Sequence, residues 1–411
     1  MFELADARSS GFAPDRLARI DALLHDKYLA PGKLPNVQLL IAREGRPVHH
    51  FLAGTLRADG TPIREDAIFR IASMTKPVTS IAFMQLVEQG LVALDDPVAR
   101  IIPEFGQLGV YAGGGGAVPF ATGTPAPPMR FVDLMTHMSG LTYGFQERSP
   151  IDAAYREAKL DFARDAITSD EYIATLARLP LEFAPGVSWN YSVATDVLGV
   201  AVERLSGLRL GEYFRQHIFE PLGMADTAFD VPPDKADRLA DCYVYQTGEK
   251  PRLIDKGASS RLLQPGSFDS GGGGLLGTVT DYHRFATMLL NKGVLDGARI
   301  VAPKTLDLMT ANHLPGGVDL TQISQSLFSE STNAGVGFGL GFAMVIDPPR
   351  TLMPASRGEF YWGGAYSTAF FVDPVERITA VFMTQLYPSS TYPIRRQLKT
   401  LIYAALEHSY A

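Results

Sequence analysis

Strand-like segments lie near both ends of this chain, and helical patterns occupy the long stretch between them. The runs with strand character are 36–43, 47–53, 339–346, 358–362, 368–373 and 378–384. A helical pattern at 14–27 precedes the first two runs, and another at 394–406 follows the last. Strands far apart in sequence can still pair, so we expect both ends to contribute to one largely antiparallel sheet flanked by helices.

The middle of the chain is predicted to be a mostly helical insertion. Helical spacing dominates at 151–179, 193–205 and 211–219. The chain has 411 residues, which is more than one hydrophobic core usually supports. We therefore predict an α+β protein with a discontinuous sheet domain, residues 1–95 and 267–411, and an inserted domain, residues 96–266. An active site is expected in the cleft between them, and the Gly- and Pro-rich segment 113–128 is expected to be an irregular surface loop.

Composition argues against several classes of protein. The formal net charge of −7 and the isoelectric point near 5.7 do not suit a nucleic-acid surface, which needs an excess of basic residues. We find neither a basic amphipathic pattern nor a run of about 18 apolar residues, so the sequence does not indicate a membrane partner. The single cysteine, Cys242, is expected to be a buried, inert thiol, with a catalytic role as the weaker alternative. Because the sequence shows no secretory signal, we expect a cytoplasmic protein.

A serine and a lysine stand three residues apart in Ser73-Met-Thr-Lys76, directly before Pro77 and an apolar helical pattern. Pro77 fits the first turn of a helix, where backbone N–H groups have no helical acceptor. Residues three apart lie on one helix face, so Lys76 can reach Ser73 and accept its proton if burial leaves the lysine neutral. The alternative is that Ser73 only caps the helix and Lys76 is exposed. Ser73 is the one serine with a lysine three residues on, which favours the nucleophile without deciding the matter.

Two further segments carry candidate groups. Tyr191 follows a Pro185-Gly186 turn and precedes a predicted helix, so its phenol could relay a proton beside a lysine cation. Taken alone, a packing role is the more usual one for a tyrosine in a chain that has 16 of them. In Trp362-Gly363-Gly364, at a strand edge, paired glycines let a substrate approach the backbone, and the next amide can donate to an oxyanion. A strand bulge with an aromatic plug is the alternative there.

Together and in this order, the segments resemble the class C β-lactamase and penicillin-binding-protein superfamily, and more closely its esterase branch, the family VIII carboxylesterases. The similarity covers nearly the whole chain. The matching segments are Ser73-x-x-Lys76, Leu134-Met-Thr-His-Met-Ser-Gly-Leu141, Tyr191-Ser192, Ser270-Gly-Gly-Gly-Gly-Leu275, Gly337-Phe-Gly-Leu-Gly-Phe342 and Trp362-Gly-Gly364. An ordered series of motifs is far more specific than any single motif.

The resemblance implies a β-lactamase/DD-peptidase-like fold and a serine hydrolase that uses no cofactor and no metal. Ser73 would be the acylated nucleophile, with Lys76 and Tyr191 as its general bases. The backbone amides of Ser73 and Ala365 would form the oxyanion hole. His137 would be a structural turn histidine. The implied partner is a small-molecule ester, and the oligomeric state is left open.

Departures from the lactamase and peptidase pattern narrow the expected substrate. Those enzymes carry Tyr-x-Asn, whose Asn engages the substrate amide, whereas this chain has Val193 at the Asn position. They also carry Lys-Thr-Gly or His-Thr-Gly, whose cation meets the substrate carboxylate, whereas this chain has Trp362 followed by Gly363 and Gly364. With these four residues in the substrate pocket, we expect neutral esters of short acids rather than penicillins or cell-wall peptides.

Other functions stay open at this point. An acyltransferase would use the same acyl-enzyme with an alcohol in place of water, weak β-lactamase activity could persist, and a binding protein could keep the fold without catalysis. A Ser-His-Asp hydrolase is disfavoured because no Gly-x-Ser-x-Gly elbow occurs. A metalloenzyme is disfavoured because the eight histidines include no His-Glu-x-x-His.

Overall fold

Both ends of the chain build one antiparallel sheet. The computed structural model describes residues 2–125, 127–325 and 333–411, and within these ranges the largest sheet has seven strands. They are β1 Asn36–Arg43, β2 Arg46–Gly54, β3 Val336–Phe338, β4 Ala343–Val345, β5 Phe360–Gly363, β6 Ala369–Asp373 and β7 Ile378–Met383. The order across the sheet is β3-β4-β5-β6-β7-β1-β2, with every neighbouring pair antiparallel. The β1–β7 pairing, with Leu40 opposite Val381, joins the two ends and confirms the predicted sheet.

Helices cover both faces of the sheet. The longer ones are α1 Pro14–Ala22, α2 Thr75–Glu88, α3 Ala194–Ser206, α4 Val279–Leu290 and α5 Ile394–Ala404. All residues of β1 are buried, with Leu39 and Ile41 in one core and Leu40 in the other, as the alternation of a strand requires. The Leu39 core is shared with α1 and α5, and the Leu40 core with α2, α3 and α4. No helix among the described residues is both long enough and apolar enough to cross a membrane.

Shorter elements complete the chain. The other α-helices are Phe131–Met135, Pro150–Glu157, Ser169–Leu176, Leu210–Phe214, Glu220–Leu222, Pro303–Met309, Leu320–Ile323 and Pro348–Thr351, with π-helical turns at Leu23–Leu29 and Arg215–Phe219. Two short strand pairs are Phe69–Arg70 with Leu276–Gly277 and Val294–Leu295 with Ala298–Arg299. A small three-stranded sheet has Cys242–Val244 in the centre, between Leu386–Tyr387 and Arg252–Asp255. The helical run predicted at 151–179 is two helices separated by a non-helical stretch at 158–168. The boundaries of the two predicted domains stay a prediction.

The segment 113–128, predicted to be an irregular loop, is largely a β-hairpin. Gly109–Gly115 pairs with Val118–Pro125 in an antiparallel ribbon, and residue 126 lies outside the described residues. Gly114 and Gly115 have φ angles of 84° and 113°, which L side chains rarely adopt. The glycines that indicated a loop therefore allow the register shifts of an irregular ribbon.

Helix α2 carries the Ser73–Lys76 segment into the interior. Every residue from Thr75 to Met84 is buried, because this helix is enclosed by neighbours that include α3 and the helix Leu210–Phe214. A helix without a solvent-facing polar stripe is typical of such a central position. Lys76 is 1% exposed, so the alternative of an exposed lysine in the first turn is wrong.

Candidate active site

Ser73 lies in a 3-10 turn, Ala72–Met74, that leads directly into α2. Met74 occupies the N-cap position of α2, and no side chain caps that end. The alternative of Ser73 as a helix cap is therefore wrong. Ala72 has a φ of 45°, in the left-handed region that residues other than glycine seldom occupy. Strained backbone of this kind is often found at active sites, and here it directly precedes a serine that lines a cavity.

The Nζ atom of Lys76 contacts three oxygens. It donates to Gly272 O at 2.6 Å, to Tyr143 OH at 2.9 Å and to Ser73 Oγ at 3.4 Å. Three acceptors match the three donors of an ammonium group, and all three are uncharged. In the part of the chain that the structure describes, Lys76 forms no ion pair with a carboxylate. The lysine thus lies within reach of the serine hydroxyl, with its other contacts made to neutral groups.

Tyr191 completes the contact around Ser73. Its OH donates to Ser73 Oγ at 2.6 Å, a short hydrogen bond between hydroxyl groups. The Nζ of Lys76 lies 4.6 Å from the centre of the Tyr191 ring, where a cation is attracted to the π face. The ring also packs against Trp362, with centroids 5.5 Å apart. The structure therefore brings Tyr191 to Ser73 and Lys76, from which the sequence separates it by more than a hundred residues.

His137 supports the Tyr191 ring without touching Ser73. It has a φ of 57° in the turn after Phe131–Met135, and its ring lies edge-on to Tyr191 at 5.0 Å between centroids. Its Nδ1 is 3.2 Å from Ser192 Oγ. Burial, with a smaller contribution from the Lys76 cation, lowers the pKa of His137 well below its usual range. A neutral, packed histidine in a turn agrees with the structural role expected for it.

The sequence reasoning missed three groups beside Lys76: Tyr143, Asp196 and Gly272. Asp196 accepts from Ser270 Oγ at 2.5 Å and from the Gly272 amide at 3.0 Å, which fixes the Gly272 carbonyl that faces Lys76. Burial raises the pKa of Asp196, and the Lys76 cation opposes that rise. Burial also raises the pKa of Tyr143 well above its usual value, so that phenol stays protonated. Asp196 follows Tyr191 by five residues, but nothing in the local sequence indicates that it approaches the glycine segment.

The Gly364–Ala365 segment lies against the turn that holds Ser73. Thr368 Oγ1 donates to Ile71 O at 3.2 Å. A Cβ atom on Gly364 would come within 2.3 Å of Ile71 O, so only glycine permits this approach. Among the described residues, no acceptor is found for the amide of Ser73 or for that of Ala365. Both amides belong to residues that line the cavity, as donors to an oxyanion would have to.

One cavity of about 410 Å³ contains most of the predicted residues. Its lining includes Ser73, Tyr191, Trp362, Gly363, Gly364 and Ala365, with further aromatic residues Phe145, Phe162 and Trp189. Apolar and aromatic walls around a few polar groups are typical of a small-molecule site. Val193 does not line it: the residue is fully buried and its amide donates to Thr142 O at 3.2 Å.

Cys242 lies outside this cavity. It is 1% exposed at the start of the short strand Cys242–Val244. Burial raises the pKa of its thiol to about 11, and a protonated thiol is a poor nucleophile at neutral pH. The position and the protonation of Cys242 agree with the inert thiol expected from the sequence.

Known proteins match this chain over most of their length. The profile of the Beta-lactamase family matches residues 23–404. The chain is 31% identical to Esterase EstB of Burkholderia gladioli, over 94% of this chain and 95% of that esterase. It is 28% identical to Acyltransferase calJ of Penicillium decumbens, over 86% of this chain and 84% of that protein. Among solved structures, EstCE1, a hydrolase with promiscuous acyltransferase activity, has a TM-score of 0.76 at 25% identity, over 95% of this chain and 98% of EstCE1.

Proposed function

The chain belongs to the Beta-lactamase family, and we propose that it is a serine carboxylesterase that hydrolyses neutral esters of short acids through an acyl-enzyme on Ser73. Its similarity to EstB and EstCE1 confirms the expected relationship to the esterases of this superfamily. One observation carries the proposal: Ser73 Oγ lies 2.6 Å from Tyr191 OH and 3.4 Å from Lys76 Nζ at the wall of an apolar cavity. A nucleophile in contact with candidate bases is the arrangement that covalent catalysis needs.

In the proposed acylation step, Ser73 Oγ attacks the carbonyl carbon of the ester, and its proton passes to the Lys76–Tyr191 pair. The carbonyl oxygen becomes an oxyanion, which would accept hydrogen bonds from the amides of Ser73 and Ala365. When the tetrahedral species collapses, the bond to the alcohol oxygen breaks. The proton held by the pair moves to that oxygen, and the neutral alcohol leaves.

Deacylation would repeat these steps with water. A water molecule gives a proton to the Lys76–Tyr191 pair as its oxygen attacks the acyl carbon. The same two amides would stabilise the second oxyanion, and the bond to Ser73 Oγ then breaks. Ser73 recovers its proton from the pair, and the carboxylic acid leaves. Tyr191 contacts Ser73 directly and Lys76 lies beside the Tyr191 ring, so the proton can rest on either group.

The cavity wall formed by Trp362 favours a neutral substrate. Trp362 packs against Tyr191 and Phe338, with ring centroids 5.5 Å apart in each case, and so closes one side of the site with an apolar surface. A carboxylate placed against this surface would lose water without gaining a cation from the residue at that position. The acid part of the ester is therefore proposed to be short and uncharged.

Acyl transfer to an alcohol is the second candidate function. The cavity extends beyond Ser73 to Phe145, Phe162 and Trp189, which leaves apolar space for an acceptor larger than water. The similarity to calJ and EstCE1 supports the same candidate. Adding an alcohol acceptor to the ester assay separates the functions. A transferase makes a new ester at the expense of free acid, whereas a hydrolase keeps producing acid.

Intact-protein mass spectrometry after brief exposure to p-nitrophenyl butyrate tests the proposal, with p-nitrophenol release followed in parallel. The wild type is expected to carry one butyryl group or to turn over, and Ser73→Ala to do neither. Ser139→Ala is the matched control, because Ser139 also belongs to a family motif but is buried outside the cavity. A butyryl group on Ser73→Ala would place the nucleophile elsewhere. No adduct and no turnover in the wild type would favour a binding protein on this fold.

A further inference from the structure

Arg395, in the first turn of α5, reaches across the sheet edge to the candidate oxyanion segment. Its Nη2 donates to Gly364 O at 2.8 Å and to Thr368 O at 2.8 Å. A Cβ atom on Gly363 would lie 2.7 Å from the guanidinium carbon of Arg395. The guanidinium therefore lies flat against the Gly363 backbone, in space that any larger residue would fill.

The two carbonyls that Arg395 contacts are the ends of one tight turn. The Gly364 amide donates to Thr368 O at 2.9 Å, and the Ser367 amide donates to Gly364 O at 3.1 Å. Arg395 binds both carbonyl oxygens from outside the turn. The turn is thus fixed on one side by Arg395 and on the other by the contact between Thr368 and Ile71.

Gly364 O and the amide N–H of Ala365 belong to the same peptide group. A trans peptide is planar, so its C=O and N–H bonds point in opposite directions. Since the carbonyl is held toward Arg395, the Ala365 N–H points away from it. No acceptor for that N–H is found in the described parts of the chain, and Ala365 lines the cavity that contains Ser73.

We propose that Arg395 is a positioning residue for the oxyanion hole: it prevents the Gly364–Ala365 peptide from flipping and polarises it, so that the Ala365 N–H becomes a stronger donor. This inference rests on the proposed acyl-enzyme chemistry of Ser73. Arg395 also lines the cavity, and its Nη2 contacts the carbonyl side of this peptide, opposite the Ala365 N–H.

The charge of Arg395 matters as well as its position. A hydrogen bond from a cation to a carbonyl is stronger than one from a neutral donor. Hydrogen bonds in series polarise one another, by about 10–30% per bond. When negative charge develops on the substrate oxygen, the hydrogen bond from Arg395 to the peptide carbonyl therefore strengthens the hydrogen bond from the peptide N–H to the oxyanion. A lysine at this position would keep the charge but lack the planar guanidinium that lies against the Gly363 backbone.

The test compares Arg395→Met, Arg395→Lys and the matched control Arg16→Met. Arg16 is an exposed arginine whose Nη1 donates to Ala404 O, at the other end of the same helix and away from the cavity. Each protein is acylated with p-nitrophenyl pivalate, chosen because its bulky acyl group slows deacylation. The rate is normalised to the number of titrated active sites, and the C=O stretch of a 13C-labelled acyl group is recorded by infrared difference spectroscopy.

Arg395→Met is expected to lower the acylation rate per active site by about 10- to 100-fold, less than the loss of a whole oxyanion donor, with little change in KM. Its acyl C=O stretch should shift to higher wavenumber, because a weaker donor polarises the carbonyl less. Arg395→Lys should give intermediate values of both quantities, and Arg16→Met should equal the wild type. A purely structural role would lower the melting temperature and the fraction of active sites, and leave the C=O stretch unchanged.

Two different failures are distinguishable. If the wild type forms no acyl-enzyme, the proposed function fails. If the wild type is acylated and Arg395→Met shows the wild-type rate and C=O stretch, the inference about Arg395 is overturned and the proposed function stands. Should Arg395→Met not fold, a wild-type rate and C=O stretch in Arg395→Lys would overturn the inference instead.

Discussion

Two lysines are buried on opposite sides of the central sheet, and their partners differ in charge. Lys76 on α2 is 1% exposed and contacts Ser73, Tyr143 and the Gly272 carbonyl. Lys399 on α5 is 9% exposed and forms a 2.5 Å ion pair with the buried carboxylate of Glu359. The first lysine therefore has neutral partners, and the second has a partner of opposite charge.

The difference separates a lysine that can take part in proton transfer from one that stabilises the fold. Glu359 is fully buried, so burial raises its pKa, whereas the Lys399 cation and the hydroxyl of Tyr403 lower it. Removing either member would leave a charge in an apolar setting, which is costly. The three oxygens around Lys76 are uncharged, and one of them is the hydroxyl of Ser73. We infer that a buried lysine next to a serine and without a carboxylate partner indicates a catalytic site better than a buried lysine in an ion pair does.

Replacing each lysine by methionine should give opposite results. Lys76→Met is expected to lower kcat for ester hydrolysis by about 10³- to 10⁴-fold, at the upper end of the contribution of a general base, with a melting temperature near that of the wild type. Lys399→Met is expected to lower the free energy of unfolding by about 3 to 5 kcal/mol, because Glu359 loses its partner, with kcat per active site nearly unchanged. Steady-state kinetics with active-site titration and chemical denaturation measure both quantities.

The double variant Lys399→Met/Glu359→Gln is the control for this contrast. It removes the unpaired charge as well as the lysine, so most of the lost stability should return. If Lys399→Met instead abolished activity in a folded protein, or if Lys76→Met kept wild-type activity, the proposed division between the two lysines would be wrong.

The two tyrosines around Lys76 allow a finer comparison. Tyr191 OH donates to Ser73 Oγ at 2.6 Å, whereas Tyr143 OH accepts from Lys76 Nζ at 2.9 Å. Tyr191→Phe is therefore expected to lower kcat by about 10²- to 10³-fold, as loss of a proton-transfer group does. Tyr143→Phe should lower it by about tenfold, because it removes one hydrogen bond to the lysine. Equal losses in the two variants would show that contact with Ser73 does not decide the role of Tyr191.

The strands of the sheet and the Ser73–Lys76 contact could be predicted because both depend on local patterns. The run 36–43 is largely apolar, as a strand covered on both faces requires, and its predicted bounds match β1. The three-residue spacing of Ser73 and Lys76 places both on one side of the entry to α2. Tyr191 was found through the order of family motifs, since its 2.6 Å contact with Ser73 spans 118 positions that no local pattern can bridge.

What could not be predicted depends on contacts between distant segments. Asp196 and Arg395 are single polar residues on helices, and their spacing gives no sign that they bind the Gly272 and Gly364 backbones. The segment 113–128 was predicted to be a loop but is largely part of a β-ribbon, because glycine signals both a turn and a bulged strand. In each case the outcome depends on which distant backbone segment the residue or strand contacts, and that contact is set by the whole fold.

Asp281 on α4 is a buried carboxylate whose hydrogen-bond partners are uncharged, as those of Lys76 are. It therefore tests how well uncharged partners replace water around a buried charge. Its carboxylate accepts from the Asp226 amide at 2.7 Å and from Thr227 Oγ1 at 2.8 Å, yet burial raises its pKa to about 6 from the usual 3.8. Because the folded pKa lies above the unfolded value, the stability contributed by this group is complete below pH 3.8 and is lost as the pH rises through 6. The unfolding free energy of Asp281→Asn, relative to that of the wild type, should therefore rise by about 1 kcal/mol between roughly pH 5 and pH 7. Urea denaturation at each pH measures this difference.

The control is Asp307→Asn, for which a pH dependence of opposite sign is expected. The hydrogen bond from Lys292 lowers the pKa of the exposed Asp307 carboxylate. A pH-independent difference for Asp281→Asn would mean that neutral donors fully replace water around a buried charge, and the contrast drawn between Lys76 and Lys399 would lose its physical basis.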